Sequence, residues 1–587
     1  MKPVRAWARF DDLITGSALL CPQPDRVLVA DRAADVRPVL EQVQRATDAG
    51  RWAFGYVAYE AAAGLDPSLA VHDTTPFGIP LAWFGLCDRP TAVPALQPPP
   101  DAEAPDPGVS WQPLWTAAGH AARVEVIKDQ IARGETYQCN LTERLTGGLD
   151  GDPYELYRTL ALGQRGAHNA YLDLGAVVIA SASPELFFER RGDLLTLRPM
   201  KGTSRRGRFP AEDRQRAAEL CGSAKERAEN LMIVDLMRND VSRIAEVGTV
   251  AVPRLFAVER YETVLQLTSD VTARLRPGTG LAEIFTALFP CGSVTGAPKA
   301  SSMKIIRSVE AEPRGVYCGA IGLVSPPDEP VRARFSVAIR TAVVDVPTRR
   351  AVYGTGGGIT WDSNPAAEHA EIRVKAALLR TRPVAFQLLE TMRVEGGSIH
   401  NGDLHLERIA SSAEHLGFRF DGSRVSGLLR ERLSGRPDPA RVRLLLDRDG
   451  TVHVDVTPIP PAPATVVLAV DDEPVDPELW WLHHKTTLRR EYDRRRDRRP
   501  EVDDVIMVNT AGELTEVTRS TLAVRIGDQW WTPPREVGCL PGVERARLLA
   551  GGVLRERRLT VAELTGAQGL AVLSSLRGWR SARLDSA

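Results

Sequence analysis

The sequence of 587 residues lacks the features that mark several classes of protein. Its seven cysteines lie far apart, with an odd total and no Cys-x-x-Cys pair, which argues against a disulfide frame or structural zinc. The 74 basic residues balance 75 acidic ones, which argues against electrostatic capture of nucleic acid or an anionic membrane. No apolar run is long enough to span a bilayer, and the first residues lack a signal-peptide core. We therefore expect a cytoplasmic enzyme.

Length and composition predict several domains, because the chain is too long for one ordinary core and has 43% hydrophobic and 25% charged residues. A stretch rich in proline and acidic residues over 91–113 predicts an exposed connector. We predict a first domain over 1–382, made of a lobe (1–90), this connector and a core (114–382). A break near Thr381-Arg382-Pro383 separates it from a second domain over 383–587. Alternating strand-like and helical stretches predict an α+β fold.

Local patterns predict individual elements around the later motifs. Residues 119–133 and 225–238 are predicted helices, and Asn364-Pro365 predicts a helix that begins at Pro365 and runs to Arg380. The segment 334–346 alternates apolar and polar residues, which predicts strand.

Carboxylates recur at helical spacing in two of these predicted helices. Glu226 and Glu229 are three residues apart, while Glu368, Glu371 and Lys375 follow at intervals of three and four, so each set shares one face. Paired carboxylates suit a hard cation such as Mg²⁺, which keeps waters and takes few protein oxygens. Taken alone, such a pair is ordinarily a solvated helix face, so other motifs must support the metal hypothesis.

Five motifs occur in order along roughly the first two-thirds of the chain. They are Ser183-Pro184-Glu185, Arg198-Pro199-Met200-Lys201-Gly202-Thr203, Lys225-Glu226-Arg227-Ala228-Glu229, Phe289-Pro290-Cys291-Gly292-Ser293-Val294-Thr295-Gly296-Ala297-Pro298-Lys299, and Glu368-x-x-Glu371-x-x-x-Lys375. Together they resemble the chorismate-binding enzymes, and within them component I of the aminodeoxychorismate synthases. The resemblance implies a large antiparallel two-layer β-sandwich flanked by helices, as in anthranilate synthase component I.

The resemblance also implies roles for the motif residues. Para-directing synthases carry a lysine at the position of Lys201, where anthranilate synthases usually have alanine, and its uncharged amine attacks C2 of chorismate before ammonia adds at C4. Glu185 is then the general acid for the departing C4 hydroxyl. The implied magnesium ligands are Glu229 and Glu371 directly, with Glu226 and Glu368 acting through water.

Substrate contacts follow from the same resemblance. Gln138 stands where water-using relatives carry a lysine base, and because glutamine cannot deprotonate water, this favours ammonia as the nucleophile. Arg340 matches the arginine that holds the enolpyruvyl carboxylate. Gln266 and Asn230 replace histidines that are common in relatives, and Lys299 is interpreted as structural. The remaining implied contacts are Thr295, Gly356, Gly357, Gly358 and Lys375.

The segment from about 384 resembles the fold-type IV pyridoxal-phosphate enzymes, specifically 4-amino-4-deoxychorismate lyase. The matching stretches are Leu389-Glu390-Thr391-Met392, His405-Leu406-Glu407-Arg408, His484-Lys485-Thr486-Thr487, Leu514-Thr515-Glu516 and Leu540-Pro541-Gly542-Val543-Glu544-Arg545. By resemblance, Lys485 bonds covalently to pyridoxal 5'-phosphate and Glu516 pairs with the pyridine nitrogen. Arg408 would hold the phosphate with the backbone of Gly542 and Val543. A smaller α+β domain is implied.

The combined hypothesis is a bifunctional enzyme that makes 4-aminobenzoate from chorismate and ammonia. The sequence has no recognisable glutamine amidotransferase, so a separate glutaminase subunit is the expected partner. A second hypothesis is an anthranilate- or salicylate-type synthase fused to an unrelated aminotransferase-like domain. A third is that the C-terminal domain is a degenerate interaction module that binds no cofactor.

Overall fold

The computed structural model describes residues 6–98, 107–436 and 438–585. The chain divides into two compact units, of which the first comprises Met1–Arg205 with Ala217–Ala385 and the second comprises Arg206–Arg216 with Phe386–Ala587. Within the connector expected over 91–113, residues 99–106 lie outside the described residues. In the described parts of the chain, no helix combines the length and the apolar character that crossing a membrane would require.

Antiparallel strands dominate the first unit. In chain order they are β1 (Trp7–Asp12), β2 (Ser17–Cys21), β3 (Arg26–Ala30), β4 (Trp52–Val57), β5 (Ala82–Cys87), β6 (Thr91–Pro94), β7 (Gln112–Pro113), β8 (Gln138–Gly148), β9 (His168–Asp173), β10 (Val177–Ser183), β11 (Leu186–Arg191), β12 (Leu194–Arg198), β13 (Met200–Arg205), β14 (Ala251–Arg260), β15 (Val264–Arg274), β16 (Gly296–Ala297), β17 (Ala320–Val324), β18 (Ala333–Val337), β19 (Thr341–Asp345) and β20 (Arg350–Ile359). Strand β6, inside the expected connector, pairs with β2.

These strands form two sheets, each with ten strands among the described residues. The first sheet runs β16-β8-β20-β19-β10-β9-β1-β2-β6 with β7 beside β8, and the second runs β13-β15-β12-β11-β18-β17-β4-β5-β3 with β14 beside β15. Apolar side chains from both sheets, among them Phe54, Tyr56, Ile179 and Val343, form one buried cluster. This packing confirms the predicted two-layer sandwich, and each large buried side chain contributes roughly 1.5–3 kcal/mol to its stability.

Helices cover the outer faces of the sandwich. In the first unit they are α1 (Ala33–Asp48), α2 (Ala62–Leu65), α3 (Ala117–Ala132), α4 (Pro153–Gln164), α6 (Ala224–Ser242), α7 (Leu281–Leu288), α8 (Lys299–Val309) and α9 (Pro365–Ala376), whereas α5 (Pro210–Gly222) has residues in both units. Leu160 of α4 packs with Ala180 and Val344 of the first sheet. Phe285 of α7 packs with Phe188 of the second. Helices therefore flank the sandwich, as the resemblance implied.

The strand predicted over 334–346 is confirmed at both ends of the segment but interrupted between them, because the segment contains two strands in different sheets. Strand β18 lies in the second sheet and β19 in the first. Between them, Arg340 has a φ of 52°, a left-handed conformation that interrupts an extended strand. The alternation of apolar and polar residues continues across this crossover, so periodicity alone did not reveal it.

Besides the first part of α5, the second unit contains two further sheets and five α-helices among its described residues. Its strands are β21 (Leu388–Glu395), β22 (Ser398–Ile399), β23 (Ala440–Leu446), β24 (Val452–Pro458), β25 (Thr465–Val470), β26 (Asp504–Val508), β27 (Leu514–Val517), β28 (Thr521–Ile526), β29 (Gln529–Thr532), β30 (Leu554–Glu556), β31 (Gly569–Ser574) and β32 (Gly578–Leu584), and its helices are α10 (Gly402–Leu416), α11 (Gly422–Leu433), α12 (Arg490–Asp497), α13 (Val543–Ala550) and α14 (Val561–Thr565). The sheets run β22-β21-β23-β24 and β27-β26-β25-β32-β31-β28-β29-β30. The unit is α+β, as expected.

Candidate active sites

A pocket of about 160 Å³ in the first unit is lined by most of the residues that the motifs singled out. Strand β13 carries Lys201 at one end of the second sheet, and its side chain is 15% exposed with Nζ 3.5 Å from Glu229 Oε2. The backbone there is held by Asn230, whose Nδ2 donates to the carbonyl oxygens of Lys201 and Leu267, each at 3.2 Å. Ser269 Oγ donates to Asn230 Oδ1 at 2.7 Å, so this buried amide is well bonded.

Glu185 is buried in the same pocket, just before β11. Burial raises the pKa of its carboxyl to about 7, against the opposing effects of hydrogen bonds and the Lys201 charge. Ser293 Oγ donates to Glu185 Oε1 at 2.6 Å. Ser293 was not assigned a role from the sequence, although it lies in the quoted stretch between Cys291 and Thr295. A carboxyl with this pKa can hold a proton near neutral pH, as a general acid requires.

Four glutamates enter the pocket from two helices whose starts are fixed by capping side chains. Ser223 accepts from the Glu226 amide at the start of α6, and Asn364 accepts from two amides at the start of α9. Each cap fixes the residue at which its helix begins, and the helical repeat then places two carboxylates of each helix towards the pocket. The four are Glu226, Glu229, Glu368 and Glu371.

Lysines lie among these carboxylates. Glu229 faces Lys201 and, at 3.9 Å, Lys225. Lys375 Nζ is 2.7 Å from Glu371 and donates to the Gly356 carbonyl at 2.9 Å. Against the effect of burial, this lysine lowers the pKa of Glu371.

The donor chemistry fits Mg²⁺, although the carboxylates are not gathered into a ready-made cluster. Burial raises the pKa of Glu226 and Glu368, and neighbouring carboxylates add to both shifts, so extra positive charge is favourable here. Across the described ranges, no three His, Cys, Asp or Glu side chains stand close enough together to hold a metal ion. Mg²⁺ is usually bound by one or two carboxylates with several waters, which this arrangement allows.

Arg340 lines the pocket at the crossover between the sheets. Within the described residues its side chain has no hydrogen-bond or ion-pair partner, so it is available to an anion. Gly356, Gly357 and Gly358 also line the pocket, on β20. A Cβ at Gly358 would overlap Lys201 Nζ and Gln138 Nε2, so glycine is required for this close approach.

Two predicted contacts do not line the pocket. Gln138 lies behind Gly358, and both polar atoms of its buried side chain lack a partner in the described part of the chain. Thr295 is buried, and its hydroxyl donates within its own turn to the carbonyls of Cys291 and Gly292 at 3.1 and 3.3 Å. Gln266 lines the pocket and accepts from Thr203. Lys299 pairs with Asp240 at 2.8 Å outside the pocket.

A second pocket, of about 620 Å³, lies in the second unit and contains Lys485. Burial, followed by the nearby charge of Arg408, lowers the pKa of Lys485 to about 8. Glu516 is buried on β27, where burial raises its pKa to about 7. Its carboxylate accepts from Tyr492 Oη at 3.1 Å and from the Leu540 amide at 3.3 Å.

Cationic and amide groups lie in the same pocket. Arg408 on α10 donates to Glu390 from two nitrogens, at 2.5 and 2.8 Å, and to the Pro541 carbonyl at 3.2 Å. Val543 begins α13, and the Gly542 amide already donates to Leu540. A buried lysine, a buried acid, a guanidinium and a helix start in one cavity fit pyridoxal phosphate.

Comparison with known proteins gives the class. Residues 22–381 match the family described as chorismate binding enzyme, and the chain therefore belongs to that family. Residues 387–584 match amino-transferase class IV, which implies pyridoxal phosphate as cofactor.

Three particular relatives show which chorismate-using enzymes the chain is similar to. The chain is 44% identical over 271 residues to aminodeoxychorismate synthase of Streptomyces griseus, covering 46% of this chain and 37% of that protein. It is 39% identical over 263 residues to aminodeoxychorismate synthase component 1 of Salmonella typhimurium, covering 45% and 57%. Anthranilate synthase component I from Streptococcus pneumoniae TIGR4 has a similar structure, with a TM-score of 0.52, 25% identity and coverage of 65% of this chain and 93% of that one. The chain thus spans about half or less of the length of these two curated relatives.

Proposed function

We propose that the protein makes 4-aminobenzoate, a folate precursor, from chorismate in two steps. Its first unit would replace the C4 hydroxyl of chorismate by ammonia, giving 4-amino-4-deoxychorismate, and its second would release pyruvate. The observation that carries this proposal is the joining of Lys201, Glu185 and Arg340 in one pocket. A nucleophile, an acid and an unpaired cation are the three groups that this substitution needs.

In the first half of the amination, the uncharged Lys201 Nζ bonds to C2 of chorismate. Both ring double bonds shift by one position, the C4–O bond breaks, and Glu185 gives its proton to the hydroxyl, which leaves as water. The new C2–N group then returns a proton to the Glu185 carboxylate. Arg340 holds the enolpyruvyl carboxylate so that C2 stays beside the lysine.

In the second half, ammonia bonds to C4, the double bonds shift back, and the C2–N bond breaks. Lys201 leaves with the Glu185 proton, and the added nitrogen passes its extra proton to the Glu185 carboxylate, so the pocket returns to its starting state. Gln138, whose amide has no partner among the described residues, lies behind Gly358 and cannot act as a base for water, which favours ammonia as the nucleophile. Mg²⁺ held by Glu229 and Glu371, with Glu226 and Glu368 through water, would neutralise the ring carboxylate.

Ammonia would come from a separate glutamine amidotransferase subunit. The Salmonella relative is named as component 1 of its synthase, which supports a divided enzyme. No amidotransferase motif occurs in this sequence.

In the second unit, Arg408 and the start of α13 would hold the cofactor phosphate, and Glu516 the pyridine nitrogen. Bound pyridoxal phosphate supplies an electron sink for the substrate's amine. Lys485 takes the C4 proton, the C3–O bond breaks, and a proton passes to the departing enolpyruvate, leaving 4-aminobenzoate and pyruvate. Its lowered pKa, about 8, brings the uncharged amine within reach at neutral pH.

The structural similarity to anthranilate synthase component I supports a second candidate, ortho amination with an unrelated reaction in the second unit. Lys201 argues against it, because ortho amination adds ammonia at C2 directly and needs no lysine nucleophile there. The position of nitrogen on the released ring separates the two candidates.

The test supplies chorismate, ammonium and Mg²⁺ to the full chain, with and without pyridoxal phosphate, and identifies products by chromatography and mass. We expect 4-aminobenzoate and pyruvate with the cofactor, and accumulated aminodeoxychorismate without it. Lys201→Ala should abolish amination while keeping lyase turnover of supplied intermediate.

Lys304→Ala serves as the matched control, because Lys304 is an exposed lysine on α8 outside the pocket. An ortho-aminated or hydroxylated product, or full amination by Lys201→Ala, would contradict the proposal.

A further inference from the structure

Positive charge dominates the wall of the second unit's pocket. Among the described residues, eight arginines line it against three acidic side chains. Arg408 pairs with Glu390 and Arg545 with Glu556, and the other six arginines form no ion pair in the described part of the chain. A bound phosphate brings about two negative charges, so the cofactor alone does not balance the wall.

Two of these arginines lie on the hairpin between β31 and β32. Arg577 Nη2 donates to the Pro460 carbonyl at 3.3 Å, and within the described residues this side chain forms no ion pair. Arg580 Nε is buried and has no hydrogen-bond partner in the described part of the chain. Burial, and then the like charge of Arg577, lowers the pKa of Arg580. A buried donor without a partner is costly unless a bound group satisfies it.

A carboxylate is the anion that best suits this pair. A guanidinium presents planar, parallel N–H groups that match two carboxylate oxygens. An ordinary α-amino acid has one carboxylate, whereas the intermediate proposed above has two. Arg441 and Arg443, on strand β23 of the other sheet of this unit, also line the pocket without an ion pair among the described residues. The wall thus has unpaired guanidinium groups in two places.

We propose that Arg577 and Arg580 bind one carboxylate of a dianionic substrate, so that the second unit selects amines carrying two carboxylates. This inference rests on the proposed function and deepens it by naming the substrate class and two residues that determine specificity. Neither arginine takes part in the proton transfers assigned to Lys485. Their loss should therefore weaken substrate binding and leave kcat nearly unchanged.

The test uses the full chain loaded with pyridoxal phosphate and two ligands that differ in one carboxylate, 3-(carboxymethoxy)benzoate and 3-methoxybenzoate. Binding is followed by the absorbance of the bound cofactor, which reports only on the second unit. Wild type should bind the dicarboxylate about tenfold or more tightly than the monocarboxylate, because a hydrogen bond to a charged group contributes about 1.5–3 kcal/mol. Arg577→Gln and Arg580→Gln should each lose about tenfold for the dicarboxylate alone.

Arg583→Gln is the matched control, because Arg583 is exposed on the same strand and lies outside the pocket. In parallel, KM for supplied aminodeoxychorismate should rise in both variants with kcat held. The inference would be overturned if the two variants lost affinity equally for both ligands, bound the dicarboxylate as wild type does, or lost affinity for the cofactor. It would also be overturned if wild type responded to neither ligand. Failure of the proposed function has a different signature, namely no pyruvate from supplied aminodeoxychorismate in a wild type that still prefers the dicarboxylate.

Discussion

At the scale of single residues, the two candidate sites hold a lysine and a glutamate in different surroundings. Lys201 faces the carboxylate of Glu229, whereas Lys485 is buried near the cation Arg408. Burial raises the pKa of both Glu185 and Glu516 to about 7, yet their neighbours differ. A serine hydroxyl contacts Glu185, and a tyrosine hydroxyl contacts Glu516. The same side-chain types are thus prepared for different chemistry by what surrounds them.

The Glu185 pKa sets an expected pH dependence for amination. A general acid must carry its proton, so kcat for aminodeoxychorismate formation should fall as pH rises through about 7. Ser293→Ala removes a hydrogen bond that favours the charged carboxylate, so this falling limb should move to higher pH. The measurement is kcat against pH at saturating chorismate and ammonia. The Glu185→Gln variant should aminate chorismate slowly, and its kcat should not fall as pH rises through about 7. If the fall persisted unchanged in that variant, another group would be responsible for it.

At the scale of elements, the first site depends on how closely β20, which pairs with β8, approaches the side chain of Lys201 on β13. Gly358 on β20 lets the chain lie against the side-chain ends of Lys201 and Gln138. Those ends are flexible, so an added methyl group would displace them rather than the backbone. That displacement should harm catalysis more than folding, because reacting groups must be positioned to within a fraction of an ångström.

Gly358→Ala should therefore lower kcat/KM for amination by about a hundredfold while leaving the unfolding transition nearly unchanged. Gly148→Ala is the control, because Gly148 lies at the end of β8 with nothing within 4 Å of an added Cβ. The measurements are steady-state rates and thermal unfolding of both variants. A Gly358→Ala enzyme as fast as the control would mean that Lys201 need not lie against β20.

Some of this arrangement was predictable from sequence and some was not. Helical spacing correctly grouped the carboxylates of α6 and α9, because a helix fixes which residues share a face. The two-layer sandwich was expected from the resemblance and is confirmed. The crossover at Arg340 was missed because alternation is the same in either sheet, and the engaged hydroxyl of Thr295 depends on a local turn. Ser293 and Arg577 reach their pockets through tertiary packing, which no local pattern encodes.

At the scale of the whole molecule, one chain carries two units, each with a pocket lined by its own residues. The product proposed for the first is the substrate proposed for the second. Because no residue in the described ranges lines both pockets, loss of one proposed reaction should leave the other chemically intact.

Lys485→Ala tests this separation. The variant should lose the cofactor's protein-bound absorbance and release no pyruvate, while aminodeoxychorismate accumulates at the wild-type rate of amination. Chorismate consumption in the same sample is the internal control. If the variant consumed chorismate much more slowly than wild type, the two reactions would not be separable in this way.

The crossover at Arg340 places this proposed carboxylate-binding residue between the two sheets. Through residues 338–340 the chain leaves one sheet of the sandwich and enters the other. The position of the Arg340 guanidinium therefore depends on both sheets staying packed together. Loss of the packing between the two sheets should thus abolish the proposed chorismate binding before the strands themselves unfold. Chorismate bound to Arg340 would in turn stabilise the packing of the two sheets and raise the melting temperature of the first unit.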